Sequence, residues 1–203
     1  MIDRKKYDIT DMVHRAKGLG DGPVLPEEVE YARNLLRERS GDAYGALYVV
    51  GLCGKPADAP LIERYLHGSE NDVHVEVALK ALCRFLGLID QYRPLIRSLI
   101  LDPPDEISPR RMTAIHLAEE YFVGFDDDEL GCKLVRILCD FEDSCRSSAR
   151  DALAVILEFK SDLDDPYGLD FADWDEDSTR IVEAACRKFK CPKPELMNMP
   201  GRH

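Results

Sequence analysis

The sequence predicts an all-α chain, a short α-solenoid of about four helical hairpins behind an N-terminal capping helix or hairpin. Three observations predict it. The pentamer Ala43-Tyr-Gly-Ala46-Leu47 recurs as Ala78-Leu-Lys-Ala81-Leu82, in degenerate form as Ala114-Ile-His-Leu117-Ala118, and as Ala149-Arg-Asp-Ala152-Leu153, at spacings of 35, 36 and 35 residues. A second element, Pro60-Leu-Ile-Glu-Arg-Tyr-Leu66, returns as Pro94-Leu-Ile-Arg-Ser-Leu-Ile100 at an offset of 34. Apolar residues step by three and four, and no comparable stretch alternates with period two. Two motifs in fixed order at nearly one period mark a repeat, and a repeat that cannot bury its apolar face alone must stack.

The elements follow in order. Residues 26–39, opened by Pro26-Glu-Glu, form the capping helix, with a partner within 3–17; Gly18-Leu-Gly20-Asp-Gly22 is a flexible joint between them. Helix pairs are expected at 42–53/59–67, 72–87/93–101, 109–123/127–141 and 144–159/178–190. Val75, Ala78, Leu79, Leu82 and Leu86 line one apolar face, and Leu130, Leu134, Ile137, Leu138 and Phe141 another. Asp42, Asp72 and Ser144 stand where N-caps belong, Ser108 precedes Pro109, and Pro60 and Pro94 fit first turns. The chain reads as a single domain: a cap over 1–41, four repeats over 42–190, and a proline-rich tail over 191–203, mobile or lying across the last hairpin.

The Ala-x-x-Ala-Leu face followed by Pro-Leu-Ile-x-x-Leu/Tyr-Leu/Ile resembles HEAT repeats over roughly 42–190. The resemblance implies a fold and says almost nothing about function.

One hairpin departs from the rest. The distance from the Ala motif to the second helix's stripe is 18, 17 and 16 residues in the first three repeats but 32 in the fourth. The added segment, 161–178, holds eight acids and no base, and so carries eight of the charges behind the chain's net −12. Asp162, Asp164, Asp165, Asp170, Asp173, Asp175, Glu176 and Asp177 interleave with Tyr167, Phe171 and Trp174, the only tryptophan. Carboxylates steer a basic partner and rings anchor it, so these residues are the candidate partner-binding site. A second reading folds the rings back as a lid over the stack. A calcium loop is a third, against which the D-x-[DN]-x-[DN]-G spacing is missing. Asp126, Asp127 and Asp128 open another helix, where acids cap and complement the dipole; they belong to the third intra-hairpin turn and would extend the same acidic rim.

Composition narrows the function. Of 203 residues, 45% are hydrophobic and 33% charged, as in an ordinary globular chain. Acids outnumber bases 39 to 27, which makes nucleic acid an unlikely partner. Arg110, Arg111, Arg146 and Arg150 are the one local basic patch the sequence suggests. Seven cysteines without a Cys-x-x-Cys, five of them in apolar-periodic segments, no apolar leader after Met1 and no span of membrane length together predict a reduced, cytoplasmic setting without membrane insertion. No nucleophile elbow, Walker loop or dinucleotide turn occurs. His116 and Glu119 lie one helical turn apart, half a metal site, while iron-binding HEAT hydroxylases would need recurring His-Glu dipeptides that are absent. No catalytic residue, metal or cofactor is therefore expected. The expected function is binding of a basic protein, concretely as an immunity protein that occludes a cationic nuclease toxin; a general scaffold or adaptor is the alternative, and a HEAT-like nucleic-acid enzyme a remoter one.

Overall fold

A computed structural model of the chain describes residues 7–39, 41–67, 73–102, 108–166, 174–192 and 194–195. Among these, eleven α-helices and no strand are present. They are α1 (Ile9–Ala16), α2 (Pro26–Glu38), α3 (Ala43–Cys53), α4 (Ala59–Glu63), α5 (Val73–Lys80), α6 (Ile89–Leu101), α7 (Pro109–His116), α8 (Ala118–Phe122), α9 (Asp128–Cys139), α10 (Arg146–Ile156) and α11 (Glu176–Phe189). The chain divides into two compact units, Met1–Gln91 and Tyr92–His203, with α6 spanning the boundary.

The helix starts follow side-chain chemistry. Asp8, Ser108, Asp127 and Asp175 each accept a backbone N–H from the first turn of α1, α7, α9 and α11. Ser144 does not cap α10, contrary to expectation. The helix begins after Cys145, whose N–H donates to Asp143 at 2.9 Å. Asp143 wins because its carboxylate also receives two bonds from Arg111. Asp42 precedes α3 without a side-chain capping bond, and Asp72 lies outside the described residues. Pro60 occupies the first turn of α4, but Pro94 sits inside α6, because that helix starts five residues earlier at Ile89. The 59–67 helix is shorter than expected. It gives way after Glu63 to three-residue turns, with Tyr65 N–H donating to Ile62 and Leu66 N–H to Glu63.

In the first unit α3 is apolar on nearly all sides, with Ala43, Ala46, Leu47, Val49, Val50 and Gly51 buried. Such a helix must be surrounded, and α1, α2 and α5 pack against it. Glycine permits the close approach. A Cβ on Gly51 would lie 2.8 Å from the Ala81 methyl, and one on Gly45 would lie 2.7 Å from Ile9. Tyr44 meets His74 while Gly51 meets Ala81, so α3 and α5 run in the same direction. Beyond Lys80 the helix widens over Ala81–Phe85, where Leu86 N–H donates to Ala81 at 2.9 Å, five residues back. Two buried acids tie the loops: Glu28 pairs with Arg15 at 2.7 Å and accepts Leu25 N–H, and Asp58 pairs with Arg33 at 2.8 Å and accepts Lys55 N–H.

In the second unit α7 and α10 run parallel, since Arg111 meets Asp143 at their starts and His116 meets Ser148 further along. Helices α6 and α9 also run parallel: Arg97 bonds Asp127 and Glu129, and Leu101 and Asp102 share a cleft with Lys133 and Arg136. Helix α11 breaks this pattern. Its end meets the start of α9, with Lys190 on Asp128 at 2.8 Å and the Cys132 thiol donating to the Phe189 carbonyl at 3.5 Å. Just before its start, Trp174 faces Phe141 beyond the end of α9, at 6.3 Å between ring centroids. So α11 is antiparallel to α9 and parallel to α10.

That geometry corrects the expected fourth hairpin. Two parallel neighbours cannot be joined by a tight turn. The chain must return along the length of α10, roughly 16 Å for eleven residues, and the described residues 157–166 run back from its end to Asp165 beside Arg150. These described residues form a strap rather than the tip of a hairpin. The expected single acidic rim is corrected with it. Asp126–Asp128 stand at one end of α9 and Trp174–Asp177 at the other, roughly 18 Å apart along twelve residues.

Candidate functional site

The strap is fastened from inside. Arg150, on the Ala149–Leu153 face of α10, is fully buried. One of its terminal nitrogens donates to the Asp165 carbonyl at 2.9 Å and to Asp175 at 3.3 Å, and lies 3.5 Å from Asp177. Asp177, 3% exposed, also accepts Asp165 N–H at 2.9 Å and pairs with Arg180. Arg180 in turn donates to the Asp162 carbonyl at 3.0 Å, and Leu163 is buried. Two strands of backbone, 162–165 and 175–177, thus share one buried cationic clamp. Burial by itself would raise the Asp175 carboxyl, but hydrogen bonds from Ser178 and the Arg150 charge outweigh it and hold the group below the usual carboxylate range.

The expected site residues therefore divide. Asp162, Asp164 and Glu176 are exposed on the strap and at the first turn of α11. Asp177 is buried and Asp175 half-buried, both carboxylates engaged by Arg150 rather than presented to solvent as expected, whereas Asp165 gives the clamp its backbone N–H and carbonyl and its side chain is itself half-buried. Trp174 is half-buried and donates its Nε1–H to Thr179 at 2.8 Å. It stands immediately before the cap Asp175, and Thr179 lies at the fourth helical position, so the ring staples the start of α11. Tyr167, Asp170, Phe171 and Asp173 lie outside the described residues. At the far end Asp126 and Asp128 are exposed, Asp128 on Lys190. Asp127 is engaged as cap: it accepts Leu130 N–H at 2.9 Å, the Tyr121 hydroxyl at 2.7 Å and Arg97 at 2.9 Å. Burial pushes that carboxyl up, and these donors bring it below its ordinary value.

Of the basic patch suggested at Arg110, Arg111, Arg146 and Arg150, Arg110 is half-buried and the other three are withdrawn from the surface. Arg111 and Arg146 are 2% and 7% exposed and Arg150 is fully buried. Arg111 forms a fork with Asp143, and Arg146 lies 3.8 Å over the Phe141 ring while donating to the Leu138 carbonyl. The missed signal was position: Arg146 and Arg150 share the helical face of Ala149 and Leu153, which is the core face.

His116 meets the Ser148 hydroxyl at 3.0 Å, and no group of three metal-ligating side chains is present among the described residues. Cys132, Cys186 and Cys191 gather where α11 ends against α9. The thiols of Cys132 and Cys191 are hydrogen-bonded, and burial followed by that contact pushes Cys132 up to about 12. Such a thiol is a poor nucleophile near neutral pH. No helix among the described residues is long and apolar enough to cross a membrane. No family model, curated protein or solved structure matches the chain.

Proposed function

We propose that this chain is a non-catalytic, HEAT-like binding module that docks a basic protein through the exposed carboxylates of its strap, acting in the cytoplasm. The observation that carries the reading is the buried Arg150 clamp. It holds the Asp165 carbonyl and the Asp175 carboxylate while Asp162, Asp164 and Glu176 face solvent. An acidic segment that is already ordered loses little entropy on binding, whereas a free acidic loop would lose much. What supports the HEAT-like part is the parallel pairing of α3 with α5, of α7 with α10 and of α6 with α9, each within its own unit. The reversal of α11 is the departure from that pattern.

The concrete form of the proposal is an immunity protein that covers the cationic active site of a nuclease toxin. A net charge of −12 favours fast, salt-sensitive capture of such a partner. The test is affinity capture from lysate by the native chain and by D162N/D164N/E176Q. The reading predicts a cationic protein retained by the native chain at low salt, released at high salt, and lost in the variant. Equal retention by both chains contradicts it. Genomic adjacency to a toxin gene, with loss of that toxin's activity on binding, distinguishes the immunity form from a general scaffold.

A further inference from the structure

Sulfur gathers at one place in the second unit. Three of the seven cysteines, Cys132, Cys186 and Cys191, meet where α11 ends beside the start of α9, and all three are half-buried free thiols. The Cys132 thiol donates to the Phe189 carbonyl at 3.5 Å, and the Cys186 thiol donates to the Pro192 carbonyl at 3.8 Å. Cys191 lies between those two carbonyls in the chain, and its own thiol is in hydrogen-bond contact with both Cys132 and Cys186.

The contact between Cys191 and Cys132 is fixed by its neighbours. Gly131 has no side chain, which leaves room for the Phe189 ring. Lys190 pairs with Asp128 at 2.8 Å and takes the left-handed conformation, φ 54°, that ends α11. Three successive residues of one element, 189 to 191, are thus set against 128 to 132 of the other, and the two sulfurs are brought together by packing that does not involve them. Cys132, Phe189 and Lys190 also line a recess of about 460 Å³, wide enough for a small oxidant to enter. Cys186 stands on α11 itself, one turn before its end, and has no comparable bracing toward Cys191.

We propose that Cys132 and Cys191 are an oxidation site, at which a peroxide converts the two thiols to a disulfide that fastens the end of α11 to α9. The Cys191 sulfur attacks one peroxide oxygen, the O–O bond breaks, water leaves and a sulfenic acid remains. The Cys132 sulfur then attacks the sulfenyl sulfur. The S–S bond forms, the S–O bond breaks, and the hydroxyl departs with the Cys132 proton as a second water. Two electrons pass from the sulfur pair to the peroxide, which is reduced to water. The burial that makes Cys132 a poor nucleophile also makes it a poor leaving group, so the bond is exchanged slowly once formed. In a reducing compartment such a bond is transient and reports oxidant rather than supporting the fold permanently. It joins positions 59 apart in sequence and so restricts the unfolded chain. The oxidised chain should melt roughly 5–15 °C higher than the reduced one.

The test exposes the reduced full chain to hydrogen peroxide, blocks remaining thiols with N-ethylmaleimide, and maps disulfides by mass spectrometry of unreduced digests. A peptide pair linking Cys132 to Cys191 should dominate, and the rise in melting temperature should accompany it and reverse with dithiothreitol. C132S and C191S should each abolish the rise, while C186S should keep both the rise and the link. The same treatment in urea should scatter the pairing among the seven cysteines. The linkage mapped in the native chain and in C186S decides the matter even if a serine variant at 132 or 191 fails to fold. No partner is involved, so the outcome is independent of the docking proposal. A dominant Cys186–Cys191 link, a Cys132–Cys191 link formed as readily in urea, or oxidation of Cys191 to a sulfinic acid without any link would overturn the proposal.

Discussion

The Arg150 guanidinium lies 3.5 Å from the Asp177 carboxylate, and the two side chains are 1% and 3% exposed. This buried contact joins α10 to the first turn of α11. Removing one member of such a pair strands the other charge out of water. Arg150→Met should therefore cost about 3–5 kcal/mol of stability, read by urea unfolding. Arg150→Met with Asp177→Leu should recover a substantial part of the loss, because no lone buried charge remains. A single variant as stable as the native chain would show that the pair does not hold the strap.

The antiparallel contact of α9 with α11 depends on one missing side chain. A Cβ on Gly131 would collide with the Phe189 ring. Gly131→Ala should destabilise by about 1–3 kcal/mol, the usual result of overpacking a core. Phe189→Leu in the same chain should relieve part of that penalty. Equal stability of Gly131→Ala and the native chain would contradict the helix packing described above.

The pH dependence has two opposed parts. Asp58, Asp127, Asp175 and Glu28 are held below their ordinary values in the fold: Asp58 by Arg33, Glu28 by Arg15, and Asp127 and Asp175 by donors that overcome their burial. Their contribution is present above the unfolded carboxylate range and is lost as pH falls through the depressed folded values. Asp151 behaves oppositely. Burial raises its carboxyl against the pull of Lys160, Arg150 and His116, so its charged form costs stability as pH rises through that raised value. Asp151→Asn should be more stable than the native chain at pH 7, and the gain should vanish near pH 3. Melting temperatures at the two pH values check both signs.

Thiol reactivity gives a separate test. Burial pushes Cys132 up to about 12 and also raises Cys145. Iodoacetamide at pH 7.5 should leave both unmodified in the folded chain and label them rapidly in urea. Labelling of folded Cys132 at the rate of a free thiol would contradict the packing of α11 and Cys191 over it.

Much of this architecture was legible in the sequence. The period-three-and-four stripes located nearly every helix, and Asp127 was readable as a cap from its place before Leu130. The direction of α11 was not, because periodicity tells which face of a helix is buried and not which way it runs. Only the opposition of Gly131 to Phe189 and of Lys190 to Asp128 sets that direction. The inward turn of Asp175 and Asp177 was hidden for a related reason. Counting charges treats every carboxylate as solvated, whereas Arg146 and Arg150 on the alanine face already announced buried cations in need of partners. Trp174 looked like a free anchor by composition, and its position next to the cap Asp175 was the sign of a staple.

The proposed docking mode has Asp162, Asp164 and Glu176 steering a basic partner onto this face of the second unit. Association and dissociation rates of the captured cationic partner should be measured at low and high salt, with the native chain and with D162N/D164N/E176Q. The variant should associate more slowly, with most of its salt dependence gone, and its dissociation rate should change far less. Unaltered association rates and an unaltered salt slope would contradict that docking mode, and would move the docking surface off the strap.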